Sequence, residues 1–501
     1  MANSEPRLNA ASKGPAIHNA ALFLAGGAAA SVLCALFASQ GNYLASALTA
    51  VAIIAVLAVI ALQVSVETLL ILWFVATPLA SFYGRIPWDR SIITFNRAFF
   101  LLAIAIVAIR AAGTPDVRFK VSGFELAWAA LCLIAMASAG LKADDPAGAA
   151  RLVVDSFFLP LVAFHLASHH FNIKGRGAAL LGAAIVLAIL LAGIGAAELL
   201  SGRDLFQYTG AALVRGRETR INGPFASDSS YAGICLLLLV FMIEAPRVLS
   251  VRMDRSGRVA RVIASLCLFA GTLLPLFRGI AIAMIACWAI MWLGGRKASA
   301  RQSAGARQSI RTSSRAGLLL LIPLLVVIAW TAGVLDLSRL SSRLANPRNV
   351  LVRIAAWSDS GRALLNNPWS GVGLGNYQAY FYANRNRDLD TVASDFEVKA
   401  VDSPHSNFLW IGAELGFPAL LIYCTAFGVL VVQSWRGLRS KFETGRAAAI
   451  CSLALLAAYL IPGLELTSGY YSDLNLYFFL LLGLMANRFA VEPIQRNAEQ
   501  V

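Results

Sequence analysis

The sequence predicts an all-helical protein that crosses a membrane many times. Three observations carry that reading. The chain of 501 residues is 58% hydrophobic, with a mean hydropathy of +0.69, more apolar surface than a water-soluble fold of this size can cover. Apolar windows of about 17–25 residues, the length that crosses a hydrocarbon core, recur along it. The shortest polar segments between those windows are basic, as cytoplasmic loops are.

Taken in order, the apolar runs fall at 18–38, 43–62, 66–82, 97–112, 121–140, 151–168 and 177–200, then at 229–245, 262–277, 279–294 and 317–335, and finally at 404–432, 447–463 and 474–488. These predict about 12–14 transmembrane helices with a large extracytoplasmic helical loop. Residues 1–335 form an N-terminal bundle of about eleven spans, 336–403 an outer loop domain, and 404–501 the C-terminal transmembrane helices. The polar stretch Met1–Ile17 leads into the first run without a clear A-x-A-like cleavage site, so that run reads as a retained helix.

Lys and Arg number 42 against 27 Asp and Glu, a net charge of +15. In a soluble chain that excess would suggest nucleic acid; here it reads as topology, and no nucleic-acid partner is expected. "RVLSVRMDRSGRVAR" (247–261), "RKASARQSAGARQSIRTSSR" (296–315) and "RGLRSKFETGR" (436–446) place those loops and both termini in the cytoplasm. The outer polar material then gathers in 201–228 and 336–403. The second contains "NVLVRIAAWSDSGRALLNN" (349–367), whose Leu351, Ile354, Ala355 and Trp357 have helical spacing and which stops at Pro368. The seven cysteines all lie in apolar runs without a C-x-x-C pair. They read as small buried hydrophobes, not as disulfides or a zinc site.

The polar residues of the outer face carry the chemistry. Ser403 fits an N-cap and Pro404 a first helical position, which puts His405 in the first turn of its span. There the helix dipole disfavours imidazolium. A neutral ring can take a proton or orient a hydroxyl; it can equally make a structural bond at the interface. Glu414, nine residues on, is about 900° around the helix and about 13 Å deeper. It cannot partner His405 unless Gly412 or Gly416 breaks the helix, and at that depth it is functional or paired with a neighbouring helix. Arg278 sits in the outer hairpin of "LLPLFRGIAIAMI", snorkelling or binding an anion. Arg215, Arg217 and Arg220 crowd the 201–228 loop against the general charge bias, which suits an anionic ligand or a solvated surface.

"NPWSGVGLGNYQAYF" (367–381) has glycines at 371, 373 and 375. It lacks the strand–helix context and GK[ST] of a nucleotide loop and reads as a structural turn. His165, His169 and His170, at the cytoplasmic end of their span, include an i, i+4 pair that could bind a metal, but with no nearby carboxylate they read as an interfacial cluster. No metal and no cofactor is expected.

Together these pieces resemble the O-antigen ligase and Wzy-type polysaccharide polymerase superfamily of bacterial membrane glycan transferases. "RINGPFASDSSYAG" (220–233) resembles its Arg-x-x-Gly-x-Phe segment. "FRG" (277–279) resembles its Ser-Arg-Gly hairpin, with Phe277 in place of serine. "RIAAWSDSGRALLNNPWSGVGLGNY" (353–377) resembles the Arg…Trp…Pro-x-x-Gly-x-Gly-x-Gly segment. "HSNFLWIGAELGFPALL" (405–421) resembles the His-Asn…Glu-x-Gly segment, with one residue inserted between His and Asn. The resemblance implies a GT-C-like glycosyltransferase of the bacterial inner membrane, its active site facing the periplasm. It would move a glycan from an undecaprenyl-diphosphate donor to an acceptor hydroxyl on a glycan or lipid, within the bilayer and in a possible polysaccharide-assembly complex. By the same resemblance His405, Arg278 and Arg220 are the catalytic residues. Arg353, Arg215, Arg217, Trp357, Gly373, Gly375, Tyr377, Asn407 and Glu414 bind substrate. The alternatives are a flippase or small-solute transporter, which would hold its substrate near the bilayer midplane, and a scaffold for envelope assembly.

Overall fold

A computed structural model describes residues 65–83, 85–86, 93–112, 121–202, 205–206, 221–225, 227–275, 277–302, 347–384 and 403–498. The expected spans at 18–38, 43–62 and 317–335, and the arginines at 215, 217 and 220, lie outside them. The chain divides into two compact units, Met1–Arg118 and Phe119–Val501.

In the first unit, α1 (Val66–Tyr83) and α2 (Phe95–Ala112) pack as an antiparallel pair. A two-residue antiparallel pairing, β1 (Arg85–Ile86) with β2 (Ile93–Thr94), joins them. Trp73, Phe99 and Phe100 fill the contact. The Trp73 indole N–H donates to Asn96 Oδ1 at 2.9 Å, so neither buried polar group is left in an apolar setting.

The second unit holds α3 (Gly123–Leu141), α4 (Pro146–His169), α5 (Ile173–Ser201), α6 (Asp228–Val248), α7 (Arg255–Leu273) and α8 (Arg278–Gln302). After these come α9 (Pro347–Asn366), α10 (Tyr377–Asn384), α11 (Asn407–Gly437), α12 (Glu443–Leu460) and α13 (Ser472–Ala498). Apart from β1 and β2, the described residues are helical or loop. Among the described residues, eight helices are long and apolar enough to cross a membrane: α3 to α8, α11, and α12 with its following turn. α4 widens into a π-helical stretch at Val153–Phe158.

α6 is the centre. Every residue from Ser229 to Ala245 is buried, as expected of a helix apolar on all sides. α5, α7, α8, α12 and α13 surround it. α13 lies closely along α4 because Gly483 brings its backbone onto that of Phe164. A cluster of Phe124, Trp128, Tyr423, Phe427, Phe478 and Phe479 knits α3, α11 and α13 together.

α11 is two helical pieces divided at Gly416, whose φ of 87° and ψ of 176° are not helical. The cause is local. Pro418 has no N–H to give the Glu414 carbonyl, and its ring would clash with that carbonyl in an unbroken helix. The segment after α9 completes the broken ladder. Val372 N–H donates to the Ala413 carbonyl at 2.9 Å, and Gly373 N–H to the Glu414 carbonyl at 3.0 Å. Phe417 N–H, turned out of the helix, donates to the Pro368 carbonyl at 2.7 Å. Each backbone group freed on one strand of chain thus meets a partner on the other, which an apolar setting requires.

This zipper works only with bare Cα atoms. A Cβ on Gly371 would fall on the Glu414 backbone, and one on Gly416 would meet the backbone of Trp369 and Ser370. Both residues also have positive φ. We expect Gly371→Ala and Gly416→Ala each to cost about 3 kcal/mol or more, from overlap and backbone strain together. Gly361→Ala, in the interior of α9 with open space around it, should instead add about 0.5–1 kcal/mol. Thermal unfolding of the three purified variants in one detergent checks the order.

Candidate active site

The zipper is anchored by a carboxylate. Glu414, buried in the first piece of α11, accepts from Gly375 N–H (2.9 Å), Tyr377 N–H (3.3 Å), Trp410 Nε1 (2.7 Å) and the Tyr470 hydroxyl (3.4 Å). Its oxygens are thereby filled by protein donors, and His405 is not one of them. The same glycine-rich loop is tied on its far side to the end of α3. Lys142 Nζ donates to the Gly371 carbonyl at 3.0 Å, and Leu374 N–H to Ser138 Oγ at 3.0 Å. Asn376 bridges the Lys142 carbonyl and Asp144 N–H. Gly373 and Gly375, with φ of 106° and 82°, make the turn, in keeping with a structural role for the run. Tyr377 points back into α9, where its hydroxyl donates to the Ala356 carbonyl at 3.0 Å; burial pushes its phenol up to about 12.

A second buried carboxylate plays the matching part for the segment after position 220. Glu198, in the last turn of α5, accepts from Asn222 N–H (3.1 Å), Gly223 N–H (2.7 Å) and Leu205 N–H (3.3 Å). Gly223, at φ 57°, lies flat against the Tyr231 ring of α6.

Between these two anchored segments lies the α12–α13 connection, residues 461–471, which gathers the polar side chains. Arg353 on α9 pairs with Glu465 through Nη1 and Oε2 at 2.6 Å. Glu465 also presses against Gly279, so it stands beside Arg278 at the start of α8. Arg278 Nη2 and Glu465 Oε1 are buried and have no hydrogen-bond partner among the described residues. Trp357, one turn beyond Arg353, donates its indole N–H to the His405 carbonyl at 3.2 Å. Asn407 donates to Ser468 Oγ at 2.6 Å and accepts from Gly469 N–H at 2.9 Å.

Arg278, Arg353, Trp357, His405 and Asn407 are therefore brought together around one turn. Gly373, Gly375, Tyr377 and Glu414 build its neighbouring wall.

Three sequence expectations change. α11 begins at Asn407 with Ser406 as N-cap, not at Ser403. His405 is outside the first turn and sits at φ 49°, a left-handed conformation that costs a non-glycine residue roughly 1–3 kcal/mol. The break at Gly416 falls beyond Glu414, so it frees Glu414 for the loop rather than for His405. The histidine cluster does have a carboxylate: Glu125 bonds His165 at 2.7 Å and His169 at 3.1 Å. It comes from the start of α3, 40 residues away from His165, where sequence proximity gave no sign of it.

The turn itself, "LELTSGYYSD" (464–473), was missed altogether. Glu465, Ser468 and Tyr470 lie between two apolar runs, and a short polar gap there reads as an ordinary connection. The one signal was its acid, on a face otherwise supplied with arginines.

Residues 263–424 match the family model described as O-antigen ligase. This supports the O-antigen ligase and Wzy-type superfamily reading. The match takes in the "FRG" motif, the glycine-rich segment and the His-Asn…Glu-x-Gly segment. A comparison with curated proteins gives no match. The O-antigen ligase family points to glycan ligation in polysaccharide assembly, and the apolar helices make the chain a multi-pass membrane protein.

Two glutamates in this O-antigen ligase-like site should fail differently. Glu414→Gln puts an N–H among four donors, and we expect a loss of about 1–3 kcal/mol in stability. Glu465→Gln keeps the shape but frees Arg353 from its counter-charge. Its melting temperature should stay near wild type while binding of an anionic ligand beside Arg353 changes roughly tenfold, the scale of one charge-assisted contact. Melting curves and anion-binding titrations on the same preparations separate the two.

Proposed function

We propose that this protein transfers a glycan from an undecaprenyl-diphosphate carrier to an acceptor hydroxyl at the outer leaflet of the inner membrane. The observation that carries the reading is the buried Nη2 of Arg278, without a hydrogen-bond partner among the described residues, beside the Arg353–Glu465 pair. A guanidinium atom withdrawn from water without an acceptor is costly. An anionic ligand that supplies the acceptor removes the cost, and a diphosphate suits the forked donor geometry.

In this reading the donor arrives already activated. The acceptor oxygen attacks the anomeric carbon, and a new glycosidic C–O bond forms. The bond from that carbon to the phosphate oxygen breaks, and undecaprenyl diphosphate leaves with the electron pair. Arg278, with Arg353 and Arg220, meets the charge that develops on the leaving diphosphate. The hydroxyl proton passes to His405, or His405 holds that hydroxyl in line. Trp357 fixes the backbone of His405 through its carbonyl, and Asn407 fixes the turn beneath it. The charge pattern of the loops supports a position for this end of the bundle outside the cytoplasm.

One transfer assay, with lipid-linked glycan and acceptor in detergent, tests the assignment. Arg278→Lys keeps the charge and loses the fork; we expect severe loss of transfer with normal insertion. His405→Gly relieves the left-handed strain and deletes the ring, so stability should hold within about 1 kcal/mol while transfer falls by about 10²–10⁴-fold. His405→Gln keeping most activity would mean orientation and not proton transfer. Wild-type transfer by His405→Gly, or by Arg278→Ala, would remove that residue from the site.

A further inference from the structure

At the other end of α3 from the glycine-rich loop, Glu125, His165 and His169 bring one carboxylate and two imidazoles to a point. The loop contacts Lys142 beyond the C-terminus of α3, while Glu125 stands in its first turn. Glu125 and Lys142 are 17 residues apart, so about 25 Å of helix separates the two. We propose that Glu125, His165 and His169 form a binding site for a divalent transition-metal ion of the zinc type, which clamps the start of α3 to the end of α4.

His165 and His169 are one turn apart on the same face of α4 and present Nδ1 and Nε2 respectively. The three donor atoms lie within 4.8 Å of one another. His165 Nδ1 lies 2.7 Å from Glu125 Oε1 and His169 Nε2 lies 3.1 Å from Oε2, so an ion held between the two rings would be met by the one carboxylate. Two histidines and a glutamate are a donor set that suits zinc and its neighbours and leaves a position for water.

The frame around the cluster is fixed before any ion binds. Glu125 closes a capping box with Ser122, accepting its N–H at 2.6 Å. This holds the carboxylate on the ligand side and leaves its Oε1 to His165. The end of α4 is tied to α13 by Asn487, which donates to the carbonyls of Ser168 (2.8 Å) and Phe171 (3.1 Å). The access is also right. The Glu125 side chain is 4% exposed and those of His165 and His169 are 20% and 22% exposed, so a cation can enter past the rings to a buried charge. The His170 ring lies 5.4 Å from that of His165 and is assigned no ligand role.

The test uses full-length protein purified in detergent without a polyhistidine tag and stripped with a chelator. Zinc alone is titrated against a chromophoric competitor, and cobalt alone is followed by its visible absorption. We expect one equivalent bound and a rise in melting temperature on adding zinc. His165→Ala and His169→Ala should each weaken binding by at least about 100-fold and abolish the melting shift; His170→Ala should leave both unchanged. Glu125→Gln, which keeps the capping box, serves where an alanine variant fails to fold and should also weaken binding. No zinc binding by the wild type would overturn the site. So would binding that survives both histidine substitutions together, leaving only two imidazoles hydrogen-bonded to one carboxylate.

Discussion

One end of this bundle depends on one backbone exchange, the zipper between the broken helix at Gly416 and the chain from Pro368 to Gly373. A transmembrane helix that breaks must find new partners for the groups it frees, because the hydrocarbon offers none. Here the partners come from a loop that is itself too poor in secondary structure to stand alone. Each supplies what the other lacks, and Glu414 adds a charge that draws two further N–H groups onto the joint. A proline, three glycines and an acid, unremarkable separately, form one device that turns a flexible connection into a wall.

Glu198 repeats the logic on the other side. Both carboxylates sit on transmembrane helices and collect backbone N–H groups from the loop that follows or faces them. Acceptors of this kind fix a loop's path without spending any of its side chains, which stay available for substrate. That division of labour separates the two classes of polar residue here. Acids are mostly consumed in holding the site, while Arg278 retains a guanidinium atom with no partner among the described residues.

Much of this was legible in the sequence because hydropathy is a local property. The eleven expected spans that lie within the described residues all coincide with helices, and α9 falls within two residues of its expected 349–367. The glycine-rich run, read as a structural turn, does turn at Gly373 and Gly375. What stayed hidden was non-local. Nothing near His165 announces Glu125, and nothing in "LELTSGYYSD" announces Arg353 or Asn407. The start of α11 was misplaced for a local reason. Ser403-Pro404 and Ser406 both fit the entry to a helix, and the choice is made by Asn407, whose side chain is taken by Ser468 and Gly469. His405 is thereby left in the link, with a backbone conformation no propensity would assign to it.

The burial of α6 bears on how the molecule is made. Its enclosing neighbours α12 and α13 leave the ribosome some two hundred residues after α6 itself. Until they arrive, a helix that ends up with no face on lipid must rest in it, along with Glu244, which in the finished structure is fully buried and has Arg247 at 3.5 Å. Assembly therefore cannot proceed pair by pair from the N-terminus. The early helices wait as a partial ring, and the C-terminal segment closes them around their own centre. That segment also brings the turn carrying Glu465. The protein's core and the polar cluster around Glu465 are thus completed in the same late step of biogenesis.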